Sequence, residues 1–186
     1  MNVYDFDETI YKKDSTRDFV FYLFKKYPIC FIDLPKIGFN GLLFLFKIID
    51  KTTFKERLYN FFRLIKDIDK ELEIFVEENL HKIEPWYLNQ QKEDDLVISA
   101  SPYFLVKAFL DKIDVKHLIA SNVDKNTGKY TGLNCYGEEK VKRYRDVYNN
   151  KEIEEFYSDS LSDTPMAKIS KNAFFVTKGK ITNWKL

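Results

Sequence analysis

The sequence predicts an α/β fold in which a parallel sheet is interrupted, after its first strand, by an all-helical insert. Two observations lead to this prediction. From about residue 86 onward, short apolar segments alternate with helical patterns, which is typical of a parallel sheet with helices on both faces. Residues 15–85 have helical texture and no clear strand. With 186 residues, 45% of them hydrophobic, the chain can bury one core of this size.

The first strand and the insert open the chain. The segment MNVYDF predicts a short strand that ends at Asp5, and Ser15 and Thr16 are candidate caps of the helix that follows. Two further segments, TTFKERLYNFFRLIKDI and DKELEIFVEENLHKIE, place their apolar side chains on one helical face. We therefore divide the chain into a core of residues 1–14 and 86–186 and a helical insert of residues 15–85, which we expect to act as a cap.

One part of the insert, PICFIDLPKIGFNGLLFLFKIID, is apolar enough to require a membrane check. Asp33, Lys36 and Lys47 interrupt it, and its densest part, GLLFLFKII, is far shorter than the roughly 20 residues that a spanning helix needs. We expect a buried segment or one that lies at a membrane surface, not a transmembrane span.

The core elements follow in alternation after Pro85. EDDLVIS, HLIAS and IEEFYSDS predict strands, and AFFVTKGKITNW predicts a strand with a final hairpin. PYFLVKAFLDKI, GEEKVKRYRDVYNN and DTPMAKISKN predict helices. Residues 122–134 have a turn signal at Asn126, Thr127 and Gly128 and predict a hairpin.

Charge and cysteine content limit the partners and the compartment. Lys and Arg number 30 and Asp and Glu number 29, so the net charge is +1 and a nucleic-acid partner is not expected. The two cysteines, Cys30 and Cys135, are far apart and belong to no CxxC motif, which favours free thiols in a reducing cytoplasm. The N-terminus runs directly into a strand pattern, so we expect no signal peptide.

Polar residues that can carry chemistry lie where the predicted core strands end. The carboxyl ends of parallel strands meet at one edge of a sheet, so we expect these side chains to converge. Three or four carboxylates in one place need a cation, and oxygen ligands without His or Cys favour Mg²⁺. A serine hydroxyl and a lysine ammonium can then hold a phosphoryl group. The residues concerned are Asp5, Asp7, Ser99, Lys140, Asp159 and Asp163.

Four short segments, DFDET, SASP, GEEK and SDSLSD, occur in this order at the predicted strand ends or before a helix. Together they resemble the four motifs of the haloacid dehalogenase (HAD) superfamily. The set is similar to the subgroup that includes phosphoserine phosphatase and bacterial phosphatidylglycerophosphate phosphatases, which carries a helical cap between the first two motifs. The resemblance implies a Rossmann-like core and a Mg²⁺-dependent phosphatase that works through an aspartyl-phosphate.

The resemblance also implies roles for single residues. Asp5 is the expected nucleophile and a metal ligand, and Asp7 is the expected general acid and base, with its backbone carbonyl on the metal. Ser99 and Lys140 are expected to bind the phosphate, with Thr9 in the same set because it shapes the turn after the strand. Asp159 is an expected metal ligand. Asp163 is expected to ligate through water or to orient Lys140.

Two positions depart from the family pattern. Many relatives have Gly where this chain has Ser158, and some have Lys where it has Tyr136. The second departure leaves Lys140, three residues after Gly137, as the candidate phosphate-binding lysine.

The substrate is not determined by these motifs. Asp14 lies where a phosphoserine phosphatase would have a cap acid, but neither Arg57 nor Arg63 is aimed at the site by any sequence signal. The expected substrate is a small phosphate monoester. Because the insert is rich in Phe, Tyr, Leu and Ile, a lipid phosphate at a membrane surface is an alternative. A phosphomutase, a non-enzymatic phospho-ligand sensor and any oligomeric state also remain open.

Overall fold

A six-stranded sheet forms the centre of the computed structural model, which describes residues 1–185. Its strands lie in the order β3-β2-β1-β4-β5-β6, so the first strand is central, and the α/β prediction is confirmed. Neighbouring strands from β3 to β5 pair in parallel, and β6 pairs antiparallel to β5. The strands are β1 (Asn2–Tyr4), β2 (Leu96–Pro102), β3 (His117–Ser121), β4 (Ile153–Ser158), β5 (Ser170–Thr177) and β6 (Lys180–Asn183).

The segment between β1 and β2 contains helices and no strand that pairs with the sheet. Its α-helices are α1 (Ser15–Lys26), α2 (Leu34–Leu45), α3 (Lys51–Tyr59), α4 (Ile68–Asn79) and α5 (Pro85–Gln90). The single helix expected over residues 52–68 is instead α3 followed by a 3₁₀ turn, Asn60–Leu64. The helical segment also continues through α5, five residues beyond the expected boundary at residue 85.

Asp14, not Ser15 or Thr16, caps α1. The Asp14 side chain accepts a hydrogen bond from the backbone N–H of Arg17 at 2.7 Å. Ser15 and Thr16 are buried, and their polar atoms face the core: the Thr16 hydroxyl donates to Ser101 at 2.8 Å. The predicted cap was therefore wrong by one residue, because the two hydroxyl-bearing residues join the core.

The remaining helices are α6 (Tyr103–Asp111), α7 (Glu138–Tyr148) and α8 (Thr164–Lys168). The hairpin expected at residues 122–134 is present in a short form, as one antiparallel bridge between Val123 and Tyr130. Backbone hydrogen bonds from Asp124 to Lys129 at 2.8 Å and from Thr131 to Asn122 at 2.9 Å flank this bridge. The Asp124 side chain accepts from the backbone N–H groups of Asn126 and Thr127 and organises a turn. The loop then packs against α3, where Glu56 accepts from the Tyr130 N–H at 3.1 Å.

Two hydrophobic clusters cover the two faces of the sheet. Successive side chains of a strand point to opposite faces, so Val3 belongs to the cluster under α7 and α8, and Tyr4 belongs to the cluster under the insert. The insert shares this second cluster with α6 through aromatic contacts, such as Phe75 with Phe109 at a 6.0 Å centroid separation. The insert and the α/β core thus share one continuous hydrophobic cluster.

The apolar stretch of the insert forms a 3₁₀ helix, Pro28–Asp33, and then α2. No residue of α2 is buried, so the expectation of a buried segment is wrong for this helix. Among the described residues, Pro28–Leu45 is the one helical segment long and apolar enough to cross a membrane by length and composition. Only 11% of it is buried. However, the buried Asp33 forms a bidentate ion pair with Arg63, at 2.6 and 3.1 Å, which ties the segment to the rest of the insert.

Candidate active site

The central strand delivers Asp5 to the carboxyl edge of the sheet. β1 ends at Tyr4, and the Asp5 backbone N–H donates to the carbonyl of Tyr157 in β4 at 2.8 Å. The neighbouring strands β2 and β4 bring Ser99 and Ser158 to the same edge. The sequence motifs converge here because the strands that carry them are adjacent and parallel.

Lys140 lies between two carboxylates. Its Nζ donates to Asp5 Oδ1 and to Asp163 Oδ2, each at 2.6 Å, and its side chain is only 2% exposed. Burial opposes charge on this lysine, but the two carboxylates raise its pKa above the ordinary value, so it is a cation. Ser158 donates to the same Asp163 oxygen at 2.8 Å. Asp163 thus orients Lys140 toward Asp5.

Asp7 is held by two donors from different parts of the chain. The Ser15 backbone N–H donates to Oδ1 at 2.6 Å, and the Ser101 hydroxyl donates to Oδ2 at 2.5 Å. Burial raises the pKa of Asp7 above its usual range. A carboxyl group with a raised pKa can hold a proton near neutral pH and deliver it. Asp5 and Asp7 therefore have different partners: an ammonium for the first, and a hydroxyl and an amide for the second.

Ser101 lies just before the following helix but does not cap it: it lies in β2, and α6 has no side-chain cap. Its backbone N–H donates to the Ser99 hydroxyl at 3.0 Å, within the segment where the pairing of β2 with β3 shifts register.

Ser99, in β2, and Thr9, in the turn after β1, are both buried. Neither makes a hydrogen bond to Lys140 in the described residues. Ser99 accepts from Ser101, which leaves its O–H available as a donor. The Thr9 hydroxyl is buried without a hydrogen-bond partner, and the Thr9 N–H donates to the carbonyl of Phe6 at 3.4 Å. Thr9 lies inside the turn after β1, as expected, and its part in phosphate binding stays a prediction.

The carboxylates do not gather into a single cluster. Within residues 1–185, no group of three or more His, Cys, Asp or Glu side chains is arranged to hold a metal ion. The expected metal site formed by three or four carboxylates therefore stays a prediction. Lys140 lies between Asp5 and Asp163 and neutralises them directly.

The donor chemistry nevertheless fits Mg²⁺, which one or two carboxylates and water usually hold. Asp163 Oδ1 is buried without a partner, so this oxygen is available to a cation or to its water. Burial and, secondly, the charge of Glu8 raise the pKa of Asp159, at the end of β4, to about 6, and a cation would relieve this penalty. Asp5, Asp159, Asp163 and the Asp7 carbonyl are the groups that would hold the ion.

Lys55 of α3 enters the site from the insert, and sequence reasoning missed it. Its Nζ donates to the Ala100 carbonyl at 3.0 Å and to Asn134 Oδ1 at 3.4 Å. Burial, and next the charge of Lys51, lower the pKa of Lys55 to about 8. A signal existed: Lys51, Phe54, Lys55 and Leu58 have the spacing i, i+3, i+4, i+7 of one helix face. The two lysines therefore lie on the same face of α3 as Phe54 and Leu58.

A cavity of about 750 Å³ lies between α1, α2 and α3 and reaches Ser101 at its inner end. Most of its lining is apolar, including Val20, Phe24, Ile37, Phe44, Phe54 and Leu58. Its charged residues are Asp14, Arg17, Lys25, Lys51 and Lys55. Arg57 and Arg63 are engaged elsewhere, with Asn40 at 2.7 Å and Asp33 at 2.6 Å respectively.

Comparison with known proteins agrees with this geometry. Residues 3–168 match the family model of the haloacid dehalogenase-like hydrolases. A protein of unknown function from Bordetella pertussis Tohama I has a similar structure, with a TM-score of 0.74, 16% identity, and coverage of 93% of this chain and 87% of its own. A phosphoserine phosphohydrolase-like protein from Francisella tularensis SCHU S4 has a TM-score of 0.55, 14% identity, and coverage of 93% and 86%.

A structure of a phospho-aspartyl intermediate analogue of phosphoserine phosphatase is also similar, with a TM-score of 0.53 and 15% identity over 92% of this chain and 83% of that one. The search of curated proteins gives no significant match. At these identities the structural similarities establish the fold alone, whereas the family model covers most of the chain. The chain belongs to the haloacid dehalogenase-like hydrolase family.

Proposed function

We propose that the protein is a Mg²⁺-dependent phosphatase that hydrolyses a phosphate monoester through an aspartyl-phosphate on Asp5. The observation that carries the proposal is the division of partners between the two aspartates. Asp5 Oδ1 is bound by the buried Lys140, and Asp7 is held by the Ser15 amide and the Ser101 hydroxyl. Burial raises the pKa of both carboxyls, and the charge of Lys140 opposes this rise at Asp5.

In the first step, Asp5 attacks phosphorus through Oδ2, since Oδ1 is bound by Lys140. The bond between phosphorus and the ester oxygen breaks, and Asp7 donates its proton to that oxygen, which leaves as an alcohol. In the second step, Asp7 takes a proton from water, the water attacks phosphorus, and Asp5 is regenerated with release of inorganic phosphate. Lys140 and the Ser99 hydroxyl bind the phosphoryl oxygens. Bound Mg²⁺ would supply positive charge that offsets the charge of the transferring group.

The test is phosphate release from 4-nitrophenyl phosphate, with Mg²⁺ or with EDTA. We expect Mg²⁺-dependent turnover by the wild type and background turnover by Asp5→Asn. Asp146→Asn, which changes an exposed carboxylate of α7, is the matched control and should keep wild-type activity. If the wild type releases no phosphate from this ester or from a screen of about a hundred metabolites and lipids, the proposal is wrong. Conversion of a substrate to an isomeric phosphate, without phosphate release, would identify a phosphomutase.

A second candidate function is a lipid-phosphate phosphatase that works at a membrane surface. Two observations favour it: the apolar cavity that reaches Ser101, and a set of exposed apolar side chains on the segment that borders it. The exposed set comprises Ile29, Phe31, Ile32, Phe39, Leu42, Leu45, Phe46 and Ile48. Lys36 and Lys47 lie in the same segment and would favour an anionic bilayer. The ion pair of Asp33 with Arg63 favours surface contact over a span.

Co-sedimentation with vesicles tests this candidate. Vesicles that contain phosphatidylglycerol should bind the wild type more strongly than vesicles of phosphatidylcholine alone. Leu45→Asp should bind less, whereas Val147→Asp, an equally exposed apolar position on α7, should bind like the wild type. Absence of vesicle binding, together with no phosphate release from phosphatidic acid, would exclude the candidate.

For either candidate function we propose a cytoplasmic location, in keeping with the buried free thiols of Cys30 and Cys135.

A further inference from the structure

The Lys55 ammonium has one hydrogen-bond donor more than its protein partners use. A lysine carries three N–H donors, and Lys55 directs two of them to the Ala100 carbonyl and Asn134 Oδ1. Both acceptors are uncharged, and Lys55 also lines the cavity. The cavity end beside Ser101 therefore contains a positive charge that a ligand can reach.

The charge around the cavity is unbalanced. Four cationic side chains and one acidic side chain line it. The acid, Asp14, already accepts from the Arg17 backbone N–H as the cap of α1. Lys51 lies over the ring of Tyr136, with Nζ 3.5 Å from the centroid, and its charge disfavours the charge of Lys55. An anion in the cavity would relieve this repulsion, and the apolar walls would strengthen its attraction to the ammonium.

Lys55 belongs to α3 of the insert and donates to Ala100, the residue between Ser99 and Ser101. Asp7, the proposed proton donor to the leaving group, accepts from Ser101, which lines the cavity. A leaving group that receives its proton from Asp7 would therefore extend toward the cavity. We propose that Lys55 binds a second anionic group, carried by the leaving group, and that the preferred substrate combines this charge with an apolar part. This inference rests on the proposed phosphatase function and assigns the substrate class of the same site.

Three non-hydrolysable probes test the inference by calorimetry in the presence of Mg²⁺. Phenylphosphonate has the apolar part alone, and 3- and 4-carboxyphenylphosphonate add the second charge. The wild type should bind at least one carboxylated probe about tenfold more tightly, which is the effect expected of one charge-assisted hydrogen bond. Lys55→Met should lose this preference and keep its affinity for phenylphosphonate. Lys66→Met, which changes an exposed lysine of the same insert, should behave like the wild type.

Equal binding of all probes by the wild type would overturn the inference, and this comparison needs no variant to fold. Equal weakening of all probes in Lys55→Met would also overturn it, because it would show that the lysine only attaches α3 to the core. Phosphate release is measured separately. If the wild type prefers the carboxylated probes but releases no phosphate, the proposed hydrolysis is refuted and the proposed anion-binding role of Lys55 is supported. If it hydrolyses phosphate esters but shows no preference among the probes, only the role of Lys55 is refuted.

Discussion

The contact of Gly128 with α3 gives a quantitative prediction for the interface between insert and core. Gly128 has a φ of +74°, and a Cβ at this position would lie 2.5 Å from the carbonyl carbon of Tyr59. Gly132 has a φ of +90°, and a Cβ there would meet nothing within 4 Å. Alanine at either position destabilises the folded state by about 1–2 kcal/mol, because its side chain disfavours the left-handed backbone. Alanine also restricts the unfolded chain, which offsets about 0.4–1 kcal/mol of this loss.

Gly128→Ala adds a clash with helix backbone, which cannot rotate away, and overpacking of this kind costs about 1–3 kcal/mol. We expect a total loss of about 2–4 kcal/mol for Gly128→Ala and about 1 kcal/mol for Gly132→Ala. At about 2–4 °C per kcal/mol for a chain of this size, the melting temperatures should fall by about 4–16 °C and 2–4 °C respectively. Differential scanning calorimetry measures both. Equal losses in the two variants would refute the reasoning, since only the contact with Tyr59 distinguishes them.

Three further predictions concern charged groups. Asp33→Asn should cost about 0.5–1 kcal/mol at pH 7, because Arg63 holds the pKa of Asp33 below its usual range and the pair is partly exposed. That contribution is fully present above the unfolded pKa and is lost as the pH falls through the lowered folded pKa, so urea unfolding at pH 3 should show a smaller penalty than at pH 7. The Lys55 ammonium has a pKa of about 8. The ratio of affinities for carboxyphenylphosphonate and phenylphosphonate, measured by calorimetry, should therefore fall in the wild type as the pH rises from 7 to 9.5, and it should stay level in Lys55→Met. Lys140→Met should cost about 3–5 kcal/mol at pH 7.5, because two buried carboxylates lose their counter-charge. Urea unfolding should show a smaller loss at pH 5, because burial raises the pKa of Asp5 and this carboxyl then takes up a proton. Lys142→Met on the exposed side of α7 should cost little.

The sheet and its site edge were predictable because their signals are local. A short apolar run that ends in a polar residue marks both a strand and its carboxyl end, so Asp5, Ser99 and Asp159 could be placed before any tertiary contact was known. Parallel pairing then brings these ends together. The central position of β1 follows from the same topology, because its neighbours β2 and β4 come from distant parts of the sequence.

Features that depend on packing between the insert and the core were not predictable in this way. The loop at residues 122–134 has the composition of a hairpin, but its pairing is limited to one bridge. The outward-facing N–H of Tyr130 donates to Glu56 of α3 and attaches the loop to the insert. Asp14 replaces Ser15 as a helix cap because Ser15 is drawn into the core beside Asp7. In each case a tertiary partner changed the outcome of a correct local preference.

The departure at Ser158 shows how such a partner can also preserve a site. Where many relatives have glycine, the Ser158 hydroxyl donates to Asp163 and accepts from the backbone N–H of Ser160 at 3.1 Å. Asp163 in turn holds Lys140, whose other carboxylate partner is Asp5. The Ser158 hydroxyl therefore restrains Asp163, the acid that orients Lys140, the lysine proposed to bind the phosphoryl group. Within residues 1–185, Lys55 has no acidic partner of this kind: its acceptors are the Ala100 carbonyl and the Asn134 side chain, both in the core. For this reason we look for the missing anion in the substrate.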